Sequence, residues 1–82
     1  MLRVGDEVMY RPGWGSGSLT QVRIESMEYT EEPRGKYGHS IDLASWDAIA
    51  ANHVMFDLDN GHWSYSDQID IEETKKLNKN TP

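Results

Sequence analysis

The chain has no cysteine, three prolines, one phenylalanine and only eight Lys or Arg among its 82 residues, and each shortage closes off a class of protein. Without Cys there is no disulfide, no thiolate nucleophile and no thiolate-bound metal, so the core alone must stabilise the fold, and a reducing cytoplasm is the expected setting. No apolar run is long enough to cross a bilayer, and the opening Met1-Leu2-Arg3-Val4-Gly5-Asp6-Glu7 offers none to serve as a signal peptide. This predicts a soluble, cytoplasmic protein with no membrane partner. Basic charge is scarcest where nucleic-acid binding would need it. Residues 1–71 hold five Lys or Arg against twelve Asp or Glu, a formal net of −7, whereas residues 72–82 hold three Lys against two Glu, a net of +1. Nucleic-acid affinity comes largely from neutralised phosphates, so the acidity serves solubility or attraction to a basic protein surface instead.

What is present points to strands. Val54 to Tyr65 carries Asn60-Gly61, a strong hairpin signal because Gly adopts positive φ freely and Asn tolerates it. Read as a two-residue turn, it pairs Asp59 with His62, Leu58 with Trp63, Asp57 with Ser64 and Phe56 with Tyr65. Leu58, Trp63, Phe56 and Tyr65 then face the core, and the polar residues face solvent. Upstream, Gly5-Asp6 turns into a short strand with Val8 and Tyr10 on one face, ended by Pro12-Gly13. Thr20 to Thr30 reads as the longest strand. Its apolar parity changes from Val22 and Ile24 to Met27 and Tyr29, which predicts a β-bulge near Glu25-Ser26.

Helical signals are confined to 41–52. Ser45 is an N-cap candidate, Asp47 sits in the first turn, Trp46 and Ile49 share a face, and Asn52 can close the C-terminus in a left-handed conformation. Glu31 to Ser40, with Pro33, Gly35 and Gly38, reads as a long loop. Ser66-Asp67-Gln68 reads as a tight turn and 69–71 as a last short strand. Residues 72–82, polar apart from Leu77, read as a disordered tail.

This order of strands, most specifically Val4-Gly5-Asp6-Glu7-Val8 near the start and Asp59-Asn60-Gly61-His62-Trp63-Ser64-Tyr65 near the end, resembles the SH3-like small barrels. The resemblance implies a mainly β fold over residues 1–71: a five-stranded small barrel with one short helix inserted before the third strand. The chain is also similar to small single-domain proteins of bacteria and their phages. Neither likeness brings an activity with it, because SH3-like barrels host many roles.

Candidate sites are then weighed residue by residue. Gly13, Gly15 and Gly17 alternate as in a phosphate cradle, but a strand follows rather than a helix N-terminus. His62, Asp57 and Asp59 group metal-ligand types, yet residues two apart on a strand are spaced about 6.5–7 Å, too far for paired metal bonds. No Ser occupies a strand-turn-helix elbow, and His39 and His53 are split by a loop and a helix. No metal, cofactor or catalytic residue is therefore expected, and the chain reads as a non-enzyme. Trp14, between two glycines on an open loop, and Tyr37, on the second long loop, are the candidate partner anchors, with Glu31, Glu32 and His39 beside Tyr37. The expected function is a protein-binding adaptor or inhibitor directed at a basic surface. A nucleic-acid-associated domain and an oligomeric small-ligand binder are the alternatives.

Overall fold

A computed structural model describes residues 1–35 and 37–78. In chain order the elements are β1 (Leu2–Arg3), β2 (Glu7–Tyr10), β3 (Thr20–Tyr29), β4 (His39–Ile41), β5 (Leu43–Ala44), α1 (Trp46–Ala50), β6 (Val54–Leu58), β7 (Trp63–Tyr65), a 3-10 turn (Ser66–Gln68) and α2 (Ile71–Asn78). The fold is mainly β and every ladder is antiparallel. The larger sheet runs β2-β3-β6-β7 with β4 beside the far half of β3, and β1 pairs with β5 separately. No helix among the described residues is long and apolar enough to cross a membrane.

Several local expectations hold. β3 shifts register between Ile24 and Ser26, so the bulge lies where the apolar parity changes. That extra residue lets Ile24 and Met27 both point inward, each 1% exposed. The Ser45 hydroxyl accepts the Ala48 N–H at 3.1 Å, and Asn52 takes φ 65° just after α1. Ile49 is buried and Trp46 packs at the core margin.

The barrel does not close. The expected last strand over 69–71 is reduced to one bridge, Tyr10 with Ile69, because the chain coils into the 3-10 turn before it and α2 after it. Residues 72–78 are likewise helical rather than disordered, whereas 79–82 of the expected tail lie outside the described residues. The Asp70 carboxylate caps α2 by accepting the Glu73 N–H at 3.0 Å, acids occupy the first turn, and Lys75 and Lys76 occupy the last, as the helix dipole favours. His39 and Ser40 also leave the expected loop for β4.

The hairpin differs by one residue. Asp57 pairs with Trp63, Phe56 with Ser64 and Met55 with Tyr65, around the three-residue loop Asp59-Asn60-Gly61. Gly61 alone in that loop has positive φ, at 83°, whereas the two-residue turn would demand it of Asn60 as well. This is the geometry of a three-residue loop with a left-handed Gly and a bulge. A one-residue slip exchanges the two faces of β7. Ser64 is fully buried, while Trp63, expected in the core, is 45% exposed and Tyr65 only half-buried.

Candidate functional site

The slip builds an outer corner. Met27, Phe56 and Ser64 form one row across β3, β6 and β7 and are buried. The rows on either side, Ser26-Asp57-Trp63 and Glu28-Met55-Tyr65, consequently face outward. Trp63 and Tyr65 meet edge to face with ring centroids 5.0 Å apart. Trp14 reaches over from the β2–β3 loop, 5.8 Å from Trp63 and 6.1 Å from Tyr65. It does not lie down as a lid over the core, for 71% of it stays exposed.

The loops work against their own preferences to reach this corner. Gly13, Trp14 and Gly15 all have positive φ, at 65°, 60° and 95°, in a loop pinned by Gly17 N–H to Pro12 O and Ser16 N–H to Gly13 O. Glycine tolerates that conformation, but in Trp14 it costs on the order of 1–2 kcal/mol. Arg34, from the second long loop, also has positive φ, 54°, and sets its guanidinium 4.2 Å from the centroid of the Tyr65 ring. Its backbone N–H donates to Asn52 O at 2.9 Å, the Asn52 side chain accepts the Asp67 N–H, and Asp67 lies 3.6 Å from Arg34. Arg34 is thus held from both ends. Among the described residues, the three non-glycine residues with positive φ, Trp14, Arg34 and Asn52, either touch Tyr65 or support a residue that does.

The five residues singled out from sequence separate into two places. Trp14 lines a concavity of ≈ 340 Å³ with Tyr10, Pro12, His62, Trp63 and Gln68. Glu31, Glu32, Tyr37 and His39 line another, of ≈ 610 Å³, with Gly35 and Gly38. Tyr37 is 87% exposed, and the partners of the Trp14 ring are Trp63 and Tyr65. His39 lies 5.7 Å, ring to ring, from Tyr29, which also stacks on His53 at 5.6 Å. His53 Nδ1 is held 2.7 Å from Thr30 O. Trp63, Tyr65 and Arg34 belong to the corner and were not legible as such, since the two-residue turn turns both aromatics inward and nothing in the sequence aims Arg34 at Tyr65.

The chemistry offered is contact and charge. Asp57, Glu25 and His62 flank Trp63 around a neighbouring concavity, and the Ser26 hydroxyl donates to Asp57 at 2.7 Å. Asp59 and His62, opposed in the two-residue reading of the turn, form no ion pair among the described residues. Asp59 instead accepts the Arg23 N–H at 3.1 Å, and the His62 N–H donates to the Asn60 side chain. Among the described residues no three His, Asp or Glu converge as metal ligands. Comparison with known proteins finds no matching family model, no matching curated protein and no matching solved structure.

Proposed function

We propose that this domain is a non-enzymatic protein-binding module, SH3-like in the order of its strands, whose contact surface is the corner of Trp14, Trp63 and Tyr65 with Arg34 at its edge. The observation that carries the reading is the convergence of two strained, non-glycine loop residues on one exposed aromatic cluster. Strain of that kind persists only where the surroundings over-determine it, and exposed Trp and Tyr are the side chains that most often anchor a protein interface. The net charge of −6, with Asp57 and Glu25 beside Trp63, supports a partner with a basic surface and favours its encounter. The concavity of Tyr37, Glu31, Glu32 and His39 supplies a second acidic contact to the same partner. A small acidic protein of bacterial or phage type that blocks or adapts a host protein fits this surface.

The test is capture from a host lysate with the wild-type chain, Trp14→Ala, Trp63→Ala and Tyr37→Ala, each first shown by circular dichroism to be folded. The two Trp variants should lose a specific partner that the wild type retains, and Tyr37→Ala should weaken it. Identical captured proteins for wild type and Trp14→Ala would refute the assignment.

A further inference from the structure

Besides β4, the larger sheet has β2 and β7 as strands paired on one side only, and these two are finished differently. On β2 the outward main-chain groups are all taken between the Glu7 carbonyl and the Arg11 N–H. Asn78 Nδ2 donates to Glu7 O, Met9 N–H donates to Thr74 Oγ1 at 3.0 Å, Met9 O accepts the Asp70 N–H, and Arg11 N–H donates to Gln68 O. The α2 helix and its approach thus stand in for a neighbouring strand.

On β7 the ladder hydrogen bonds fall at alternate residues. Leu58 N–H donates to His62 O, so the next hydrogen-bonded pair is Phe56 with Ser64, and the main-chain groups of Trp63 and Tyr65 point away from β6. At Tyr65 they are occupied. Gln68 Oε1 accepts its N–H at 3.0 Å, and the Ser64 hydroxyl donates to its C=O at 2.7 Å. At Trp63 they are not: among the described residues no hydrogen bond outside the ladder takes its N–H or its C=O. Two carboxylates, Asp57 and Glu25, lie beside this open position and neither joins an ion pair among the described residues, whereas the cation of the corner, Arg34, is already engaged with the Tyr65 ring and Asp67.

We infer that the partner is an extended, Lys- or Arg-bearing segment that adds to the edge of β7 as a short strand, pairing its backbone with the N–H and C=O of Trp63. This rests on the reading of the corner as the contact surface and specifies how that surface is used. In an added strand, alternate side chains project to one side at about 6.5–7 Å spacing. An apolar residue of the segment packs on the exposed faces of Trp14 and Trp63, whose rings already touch edge to face, and a basic residue reaches toward Asp57, the cross-strand neighbour of Trp63, in the field of Glu25. Main-chain pairing supplies affinity and the alternate side chains supply selectivity.

A random dodecapeptide library displayed on phage, selected against the full chain, provides the probe, and the strongest selected peptide is then synthesised. Selected sequences should alternate Lys or Arg with apolar residues. N-methylation of single backbone nitrogens should weaken binding about tenfold at the one residue whose N–H donates to the Trp63 C=O and little at its neighbours, the loss of roughly one well-made hydrogen bond. Amide exchange at Trp63 should slow on binding, and Asp57→Asn with Glu25→Gln should flatten the salt dependence. If Trp14→Ala abolishes binding while no N-methyl position matters and the Trp63 amide is unaffected, strand addition is wrong and the corner stands. If selection returns no peptide sensitive to Trp14→Ala, both readings fall.

Discussion

Phe56 and Asp57 are chain neighbours on one strand, yet the rows they belong to lead opposite lives. The Phe56 row is sealed between Met27 and Ser64, whereas the Asp57 row ends in a Trp that is 45% exposed beside another that is 71% exposed. The contrast teaches that the side chain's place across the ladder, and not its hydrophobicity, decides burial here. A serine is inside because its hydroxyl is satisfied by the Tyr65 carbonyl, and a tryptophan is outside because the turn holds one residue more than its sequence suggests.

The sharpest way to break the comparison is to truncate one residue from each row. Phe56→Ala should destabilise by about 3–5 kcal/mol in chemical denaturation, because it leaves a cavity in a packed interior. Trp63→Ala should cost less than about 1 kcal/mol, since it removes a partly solvated ring and its edge contacts. Equal losses would erase the distinction between the rows. Next in size comes the covered edge. Thr74 is fully buried, and Thr74→Val strands the Met9 N–H without its acceptor, so stability should fall by about 1–3 kcal/mol and the Met9 amide should exchange faster.

A smaller effect separates strain from packing at Trp14. Trp14→Gly releases the left-handed strain but gives up two aromatic contacts and frees the unfolded chain. The net change should stay within about 1 kcal/mol while partner binding is lost. The smallest effect belongs to Lys76. Its hydrogen bond to Glu73 at 3.1 Å, with the attraction of that carboxylate, holds its ammonium above the ordinary lysine value. A lysine raised on folding adds stability that is complete below its unfolded value and is lost as pH rises through the folded one. Any contribution is therefore present at neutral pH and fades only in alkaline solution. Because the group is fully exposed, Lys76→Gln should leave the neutral-pH thermal midpoint unmoved while removing the raised lysine from the titration.

How much of this could be read beforehand differs from segment to segment. The bulge in β3 was legible because apolar parity reports it directly, and α1 because Ser45 and Asn52 carry their own capping chemistry. The hairpin's place was legible but its register was not. Asn60-Gly61 serves a two-residue turn and also a three-residue loop with its left-handed residue at Gly61, and the two differ in which face of β7 is buried. An aromatic residue is the expected occupant of a core, and Ser64 overturned that by bonding locally. The α2 helix had a signal in Asp70 followed three residues later by Glu73, a capping pattern, with Ile71 and Thr74 on one face. Low hydrophobicity hid it: apart from Ile71 at the core margin, the helix is held to β2 by hydrogen bonds, the Met9 N–H donating to Thr74 and Asn78 donating to the Glu7 carbonyl. The aromatic corner was half legible. Trp14 was marked by its glycine neighbours, whereas the placement of Trp63, Tyr65 and Arg34 depended on the register and on backbone conformations that composition does not reveal.

The hairpin register is therefore the place to press hardest. In a proton NMR spectrum, the Hα of Asp57 should show a strong cross-strand Overhauser contact to the Hα of Trp63, and Met55 to Tyr65, as expected for facing residues that share no ladder hydrogen bonds. Facing contacts of Leu58 with Trp63 and Phe56 with Tyr65 instead would turn both aromatics inward, dissolve the corner and contradict the account.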